Sequence, residues 1–557
     1  MIMKLYCLWG DENKGIKVNK KFYNFIYEKF GIDDNKIVWD GHYVINELEK
    51  NEDLEKLLKE CLKDKNISFD TKDRFYHSFG KSGFDYITLM ENSNFRIVDA
   101  VIYPNEEEIP CIFEKLKNEC EIIIYGGGTS VTGGIAPSGR KKFSIALDTM
   151  NLNYFNVDEK SMILEAGTGI KGPDLENRLK KFGLTLGNFP ESFEYSTLGG
   201  WIATNAAGQE SNRYGKIKDM VLGVTMVSPS GTFSDKKAPA ESAFFKVSDI
   251  AIGSEGTYGV ITRAYLKVHK IPKKLYFKAY IFKNFSDGLE SLRKIFTNGK
   301  VPLVSRLSDE IESKLSLIAI EDNAFVKIFK TYLKMRGVLN NGSILIVVND
   351  SKIPKIDGIN LGSMPSKFWL KSRYDRPYLY NELLKHGIVA ETIETSTVWS
   401  NAYSLYRNVT LSFNDTLEKN GVSGLIMCHA SHEYLTGTAL YFTFIFYSKD
   451  ERKKYLTILR NAVIKSIIES GGSISHHHGI GTYLGDELKS YKGNAYNIIK
   501  ALKNNLDPDN MLNSEIIKWI FMKIFFIINP IAGNGKALEE WEKNKIKIKL
   551  LFQCTLF

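Results

Sequence analysis

Three adjacent histidines are the first candidates for chemistry. They lie in SISHHHGIG, residues 473–481, as His476, His477 and His478. Imidazole is the side chain best suited to proton transfer near neutral pH. Alternate side chains of an extended segment point to opposite faces, so three adjacent imidazoles cannot all bind one metal ion, and no second ligand cluster has the spacing of a zinc site. The pattern predicts proton transfer without a metal; an exposed polar turn is the alternative.

Tyr441 is the second candidate. It lies in TALYFTF, residues 438–444, where alternation places Ala439, Tyr441 and Thr443 on one face of a strand. A buried aromatic residue in a strand more often packs than reacts, so composition alone favours a place in the core.

Arg306 stands among apolar neighbours in VSRLSD, residues 304–309. An arginine in such surroundings usually has an anionic partner, because the guanidinium binds phosphate or carboxylate groups through paired hydrogen bonds. The residues leave two partners open: a substrate, or an internal carboxylate from Asp309 or Glu310.

Three stretches of small residues are candidates for a cofactor site. GGGTSVTGG, residues 126–134, follows an apolar run, and its three adjacent glycines let backbone N–H groups converge on a phosphate. The loop matches neither GxGxxG nor GxxxxGK[ST], so no Rossmann or Walker site is predicted, and a tight hairpin is the alternative. TLGGWIATNAAG, residues 197–208, and GSEGTYGVIT, residues 253–262, have the same composition, which is typical of backbone packed against a large flat cofactor.

The elements that position these residues divide the chain into five parts. Residues 1–95 carry no obvious chemistry. Short β-branched runs alternate with glycine-rich turns over 96–272, whereas longer helical patterns separated by strands occupy 273–470. A turn-rich piece, 471–520, holds the histidines, and a tail follows over 521–557. The expected fold class is α+β.

Composition narrows the class of protein. The 557 residues are 43% hydrophobic and 25% charged, which excludes disordered and collagen-like chains. A net charge of +9 without a basic tract favours an anionic substrate or membrane surface and no nucleic acid. The six cysteines form no CxxC pair, so reduced thiols are expected. No targeting peptide or spanning run is evident, so a cytoplasmic protein is predicted.

The order of the four motifs resembles that of the p-cresol methylhydroxylase/vanillyl-alcohol oxidase flavoprotein superfamily. Within it the chain is most similar to the alkyldihydroxyacetonephosphate synthases, from about residue 5 to 518. The resemblance implies a two-part FAD-binding domain of the vanillyl-alcohol oxidase type over 96–272, an α+β cap that binds substrate over 273–470, and FAD bound without a covalent link.

The resemblance also implies the site. The FAD pyrophosphate would lie on Ile124, Tyr125, Gly126, Gly127, Gly128, Thr129, Ser130 and Val131. The flavin side would be held by Glu191, Ser192, Ser196, Thr197, Gly200, Thr204, Asn205, Ala206, Ala207 and Gly208. The remaining contacts would come from Gly253, Ser254, Glu255, Gly256, Thr257, Gly259, Val260 and Ile261. Tyr441 would be the general acid/base acting with the three histidines, Arg306 would bind the substrate, and Tyr434 is a weaker candidate.

The activity that the resemblance implies is replacement of the acyl group of acyl-dihydroxyacetone phosphate by a fatty alcohol, through an adduct at flavin N5, in ether-lipid synthesis. The alternatives are an FAD-dependent dehydrogenase or oxidase of a 2-hydroxy acid, of the D-lactate or glycolate type, and a flavin-binding protein without catalysis. The expected partners are a small-molecule or lipid substrate with an anionic head and a membrane surface, with a homodimer left open.

Two positions depart from the synthase pattern. Asn188 stands where the synthases have a histidine, and Tyr380 replaces an arginine that binds substrate. Losing a guanidinium weakens a site for a phosphate dianion, because charge-assisted hydrogen bonds are the strong ones. Arg373 and Arg376 are the nearby cations that could compensate, so the phosphate of the substrate stays open.

The tail carries a different motif. MKIFFIINPIAGNGKA, residues 522–537, resembles the first strand and loop of the diacylglycerol kinase-like lipid kinases. The 36 residues from 522 to 557 are too few for a kinase fold, so the tail is predicted to be a truncated start without activity. An amphipathic extension is the alternative.

Overall fold

The computed structural model describes residues 2–16, 18–32, 36–320, 324–517, 536–537 and 540–544. The chain divides into two units, Met1–Ile517 and Lys518–Phe557. In the second unit the described residues are helical. The kinase-like motif predicted at 522–537 therefore lies almost entirely outside the described residues.

Strands dominate the centre of the first unit. In chain order they are β1 (Ile2–Tyr6), β2 (His42–Asn46), β3 (Ile67–Ser68), β4 (Ala100–Ile102), β5 (Cys120–Tyr125), β6 (Phe143–Asp148), β7 (Phe155–Asp158), β8 (Ile163–Gly167), β9 (Leu184–Thr185), β10 (Val221–Ser228), β11 (Gly231–Ser234), β12 (Val260–Lys267), β13 (His269–Lys270), β14 (Tyr276–Phe282), β15 (Val304–Ser308), β16 (Ser343–Asn349), β17 (Ile359–Gly362), β18 (Ile388–Val398), β19 (Ser423–Ser431) and β20 (Gly437–Tyr447).

Helices connect the strands and cover the sheets. They are α1 (Lys20–Phe30), α2 (Glu52–Lys59), α3 (Thr71–Tyr76), α4 (Gly83–Met90), α5 (Ile109–Leu116), α6 (Gly172–Lys180), α7 (Leu198–Ala203), α8 (Ser211–Tyr214), α9 (Ile217–Met220), α10 (Val247–Ala251), α11 (Phe285–Thr297), α12 (Glu310–Ala319), α13 (Ala324–Met335), α14 (Met364–Lys371), α15 (Arg376–Lys385), α16 (Trp399–Asn420), α17 (Arg452–Glu469), α18 (Gly485–Lys492) and α19 (Tyr496–Leu506). Among the described residues, none of these helices is both long and apolar enough to cross a membrane.

Two sheets carry the glycine-rich loops. In the first, β4, β6 and β5 run parallel and β3 is antiparallel to β4. The second is antiparallel, in the order β11, β10, β12, β8, β7. Ile122 and Ile145 of the first sheet share a buried core with Val227 and Val260 of the second. Because β5 ends at Tyr125, the first glycine-rich loop begins directly at the end of a buried parallel strand.

The largest sheet among the described residues has seven antiparallel strands, in the order β17, β14, β16, β15, β19, β20, β18, and it is called the cap sheet below because it lies in the segment predicted to form the cap. The alternation predicted in β20 sets its two faces. Phe442 and Phe444 join the main hydrophobic core, where the Phe444 ring lies 5.1 Å from that of Phe413 on α16. Tyr441 therefore lies on the opposite face of the sheet, together with Thr443.

The prediction of reduced thiols is wrong for one pair of cysteines. Cys61 and Cys111 form a disulfide, with their Cα atoms 5.7 Å apart. Cys61 follows α2 and Cys111 lies on α5, and packing of these two helices brings together residues 50 positions apart, which no local spacing could show. Cys7, Cys120 and Cys428 are free and buried.

Candidate active site

A cavity of about 300 Å³ lies between the glycine-rich loops and the cap sheet. One wall consists of the loop at 124–131 together with several residues of the segments 190–209 and 255–261. The other wall comes from β15, β19 and β20 and from the histidine segment. The fold thus brings the four sequence motifs to one space.

Most residues predicted for the site line this cavity. They are Ile124, Tyr125, Gly126, Gly127, Gly128, Thr129, Ser130, Val131, Glu191, Ser192, Ser196, Thr197, Gly200, Thr204, Ala206, Ala207, Glu255, Gly256, Gly259, Ile261, Arg306, Tyr441, His477 and His478. Other predicted residues lie behind the lining: Asn205, Gly208, Gly253, Ser254, Thr257, Val260 and His476. Val260, for example, packs in the core between the two sheets.

The glycines after β5 are required by contacts within the protein. A Cβ on Gly127 would lie 2.8 Å from the Cα of Ser196 and still closer to the carbonyl oxygen of Tyr195. A Cβ on Gly126 would collide with Thr197, and Gly128 has a φ of +67°, in the left-handed region. The loop therefore packs directly on the backbone of 195–197, a reason for its composition that the sequence did not reveal.

The same loop offers donors to an anion. Among the described residues, none accepts a hydrogen bond from the backbone N–H groups of 127–131. Lys81 lines the cavity too, where its ammonium donates to the backbone oxygens of Cys7, at 2.9 Å, and Leu8, at 3.2 Å. Burial lowers the pKa of Lys81 to about 8. Successive unpaired amides with a nearby ammonium fit the diphosphate of FAD.

Two buried carboxylates hold the histidine segment. Glu394 of β18 accepts a hydrogen bond from the N–H of each of the three histidines, at 3.1 Å for His477 and 2.8 Å for His478. Glu255 accepts from the N–H of Ile480 at 2.6 Å and of the next residue at 2.9 Å. Burial raises the pKa of Glu255 to about 7. The segment is therefore tied to both walls of the cavity.

The carboxylate of Glu394 also lies close to the rings of His476 and His477, a proximity that the spacing in the sequence did not show. Both carboxylate oxygens already accept hydrogen bonds from the backbone. The Nδ1 atoms of the two rings lie 2.8 Å apart and form a hydrogen bond. These groups satisfy one another, so we assign no metal ligands here.

The histidines are kept neutral by their surroundings. Burial lowers the pKa of His476, His477 and His478. The ammonium of Lys216, which donates to the backbone oxygen of His476, lowers the pKa of the first two further. His432 lies beside them, with its ring centroid 5.3 Å from that of His477, and burial lowers its pKa to about 3. At pH 7 these imidazoles are therefore neutral, each with one ring nitrogen that carries no proton.

Tyr441 lies between two imidazoles. His429 is directly opposite it on β19, with the ring centroids 4.8 Å apart, and the ring of His477 is 5.9 Å away. On the other side, β18 places Glu394 opposite Tyr441. Directly paired residues of an antiparallel sheet share a face, so a carboxylate, a phenol and an imidazole form one row, of which the phenol and the imidazole line the cavity. Burial raises the pKa of Tyr441 well above its usual value.

Arg306 has an internal partner that differs from both predicted ones. Its Nη2 lies 2.8 Å from Oε1 of Glu312 and forms an ion pair with that carboxylate. Asp309 and Glu310, the two internal partners suggested by the sequence, are not its ion-pair partners. Arg376 binds the same oxygen at 2.7 Å, and His429 Nδ1 lies 2.9 Å from Nη2 of Arg306. Two guanidinium groups and one carboxylate leave a net positive charge beside the cavity.

The two departures from the synthase pattern have different surroundings. Tyr380 lines the cavity, where burial and the nearby Glu191 raise the pKa of its phenol. Asn188 is fully buried behind the lining, and neither polar atom of its amide has a hydrogen-bond partner among the described residues. Arg373 binds Glu210 at 3.1 Å and does not line the cavity. Of the two arginines that could compensate, only Arg376 lies with Arg306.

Several residues of the site were not predicted: His429, His432, Glu394, Lys216 and Glu312. The two histidines three positions apart, at the end of an apolar run, were a usable signal. The carboxylates and the lysine gave none, because each stands among other charged and hydroxyl-bearing residues and nothing in the local sequence distinguishes it from them.

Comparison with known proteins adds to this geometry. The family described as "FAD binding domain" matches residues 98–235, and that described as "FAD linked oxidases, C-terminal domain" matches 363–516. The alkyldihydroxyacetonephosphate synthase of Dictyostelium discoideum is 31% identical over 79% of this chain and 76% of its own length. That of Trypanosoma brucei brucei is 30% identical over 82% and 79%. A solved alkyldihydroxyacetonephosphate synthase structure superposes with a TM-score of 0.76 at 26% identity, covering 91% of this chain and 97% of that chain.

Proposed function

Because this chain belongs to the alkyldihydroxyacetonephosphate synthase family of FAD-binding proteins, we propose that it replaces the acyl group of an acyl-dihydroxyacetone phosphate with a fatty alcohol. The observation that carries the proposal is the meeting of three groups around one cavity: the open amides of 127–131, the net positive charge at Arg306, and Tyr441 among neutral imidazoles. An oxidoreductase acting on 2-hydroxy acids is the weaker alternative.

The amides of 127–131 would hold the FAD diphosphate, and we expect the cofactor to be bound without a covalent link. Bound FAD would supply the reactive ring nitrogen that faces the ketone of the substrate. Release of flavin on acid precipitation of the protein would support the noncovalent link; flavin that stays with the precipitate would contradict it.

The protein's own residues would bind the head group and move its proton. Arg306 and Arg376 both contact the carboxylate of Glu312. Arg306 would bind the phosphate of the substrate through charge-assisted hydrogen bonds. Tyr380 would donate one neutral hydrogen bond where the family has a guanidinium, so we expect a weaker hold on the phosphate dianion. Tyr441, stacked between His429 and His477, would carry the proton to and from the carbon next to the ketone.

The test is made on the purified yellow protein without oxygen. We expect release of fatty acid and incorporation of labelled fatty alcohol from an acyl-dihydroxyacetone phosphate, with no lasting loss of flavin absorbance. Tyr441→Phe should abolish turnover with FAD still bound, whereas Tyr403→Phe, on the exposed side of α16, should not. Bleaching of the flavin by D-lactate or glycolate, without alcohol incorporation, would overturn the proposal in favour of the oxidoreductase.

We propose further that the protein meets its lipid substrate at an anionic membrane surface, through α13 and α14. The buried side of α13 packs near Ile281 and that of α14 near Phe277, two residues on the same face of β14. The ring of Trp369 on α14 lines the cavity. Both helices therefore cover the face of the cap sheet on which the site lies.

Their outer sides combine apolar and basic residues. On α13, Ile328 is 70% and Met335 82% exposed, and on α14, Met364 and Phe368 are each 67% exposed. No acidic residue occurs between 323 and 342, where the chain carries three lysines and one arginine. Exposed apolar side chains between lysines are typical of helices that lie in the interface of a membrane with anionic lipids.

Vesicle binding tests this surface. Protein should sediment with phosphatidylcholine vesicles that contain phosphatidylserine, and less with vesicles that lack it or at high salt. Met335→Ser with Phe368→Ser should weaken binding, whereas Phe244→Ser, at a 96% exposed phenylalanine in the other half of the fold, should leave it unchanged. Equal binding by both variants would contradict the assignment. The cytoplasmic location and the homodimer stay predictions.

A further inference from the structure

A chain of hydrogen bonds leads from the cavity toward the outside of the protein. His477 lines the cavity beside Tyr441. Its Nδ1 lies 2.8 Å from Nδ1 of His476, and Nε2 of His476 lies 2.5 Å from the hydroxyl of Tyr434. Tyr434 is partly exposed, in the turn between β19 and β20, and is followed by the exposed Leu435. The three side chains therefore form a hydrogen-bonded path from the cavity to a partly exposed residue.

The orientation of the middle ring is fixed from its backbone. Glu394 accepts a hydrogen bond from the N–H of His476, and Lys216 donates to its carbonyl oxygen. Tyr434 is held in turn, because its backbone N–H donates to Gly437 at 2.7 Å and its carbonyl accepts from the indole of Trp399 at 3.1 Å. Such support keeps both hydrogen bonds of His476 in place.

We propose that Tyr434, His476 and His477 form a proton relay between the substrate and solvent, in which Tyr434 is the outermost member. The proposal rests on the proposed function for the identity of the proton donor, the carbon next to the ketone. It differs from the roles that the sequence suggested, in which the histidines act together at the substrate.

The protons balance along the relay. Before transfer, His477 carries its proton on Nδ1 and donates it to Nδ1 of His476, which carries its own proton on Nε2 and donates to the Tyr434 oxygen. No described residue bonds to Nε2 of His477, so this nitrogen can accept the hydroxyl proton of Tyr441 as Tyr441 takes the proton of the substrate. His477 then passes its Nδ1 proton to His476, His476 passes its Nε2 proton to Tyr434, and Tyr434 releases its hydroxyl proton to water. One proton enters and one leaves, and each imidazole changes tautomer.

Neutral transfer suits this environment better than a charged base. The buried ammonium of Lys216 donates a hydrogen bond to the backbone oxygen of His476. The carboxylate of Glu394 already accepts hydrogen bonds from the backbone N–H groups of the histidine segment. An imidazolium would stand beside a cation in a buried site, which is costly. A relay moves the proton away without leaving a charge on either ring.

The first test is Tyr434→Phe, which removes one oxygen and keeps the ring. With the acyl substrate in deuterated water, we expect kcat and the exchange of the substrate hydrogen to fall roughly 10-fold or more, approaching what a positioned acid–base group contributes, with KM little changed. Tyr403→Phe is the matched control. Unchanged kcat and exchange in Tyr434→Phe, with FAD bound, would overturn the relay.

A second readout needs no turnover. In protein labelled with nitrogen-15 in histidine, NMR should show a strongly hydrogen-bonded proton between the rings of His476 and His477 and another at Tyr434. Tyr434→Phe should remove only the second. Absence of both signals in the unchanged protein would overturn the relay whatever the activity. Both signals without any reaction of the acyl substrate would leave the relay supported and refute the proposed function instead.

Discussion

Replacing Gly127 with alanine tests how the glycine-rich loop packs. The added Cβ would lie 2.8 Å from the Cα of Ser196, whereas carbon atoms in contact are ordinarily about 3.5–4.0 Å apart. The loop and the segment at 195–197 would therefore have to separate by about 0.7–1.2 Å. Both form the wall on which FAD is expected to lie, so separation disturbs the cofactor site directly.

The cost can be estimated from other overpacked sites. Forcing extra carbon into a well-packed position costs about 1–3 kcal/mol, which corresponds to about 5- to 140-fold in an equilibrium constant. For Gly127→Ala this cost must appear as a higher Kd for FAD, as a lower free energy of unfolding of the protein without FAD, or divided between the two.

Two measurements therefore give the answer together. FAD affinity is measured by fluorescence titration, and the free energy of unfolding by urea titration of the protein freed of FAD. Gly15→Ala is the control, since an added Cβ there has no heavy atom within 4 Å. If the Gly127→Ala variant has the same FAD affinity and the same free energy of unfolding as the unchanged protein, the close approach of the loop to residues 195–197 is refuted.

Three further predictions concern stability. Reduction of the Cys61–Cys111 disulfide should lower the free energy of unfolding by about 4 kcal/mol, given the sequence separation of 50, and equal urea midpoints with and without reductant would contradict it. Burial and the charge of Arg306 lower the pKa of His429 to about 4. Between pH 6.5 and 4 the unfolded chain therefore binds more protons at this site, so stability falls as pH falls. His429→Gln should remove roughly 3 kcal/mol of that loss, and parallel stability curves for both proteins would contradict it. Glu312→Gln should destabilise by about 3 kcal/mol or more, because it leaves a buried guanidinium without its carboxylate, and added phosphate should restore part of the melting temperature.

The fold class and much of the candidate site could be predicted from local patterns. The strands β5, β6, β12 and β20 could be predicted because alternating β-branched residues and glycine-rich turns are patterns of neighbouring residues. The FAD cofactor and the synthase family could be predicted because the glycine-rich loops and the histidine segment are contiguous motifs. The matches to the FAD-binding family and to the synthases confirm the cofactor and the family.

Residues that act from other elements could not be predicted in the same way. Glu394 lies 82 positions before His476 in the sequence, and Glu312 lies far along the chain from His429, although its Oε1 is 3.5 Å from Nδ1 of that histidine. A single carboxylate in a strand or helix looks like any other charged residue until a partner faces it. The reduced state predicted for Cys61 was wrong for the same reason, since only the packing of α2 on α5 brings Cys111 to it.

The order of residues along the chain specifies which chemical groups this protein possesses: glycine-rich loops with unpaired amides, adjacent imidazoles, a phenol on an alternating strand and an arginine among apolar residues. The protonation of these groups and the residues that contact them depend on how the chain folds. Pairing of β18, β20 and β19 sets Glu394, Tyr441 and His429 in one row, and Lys216 is brought against the histidines from a remote loop. Burial and neighbouring charge set a pKa, and both depend on distances in space rather than on distances along the chain.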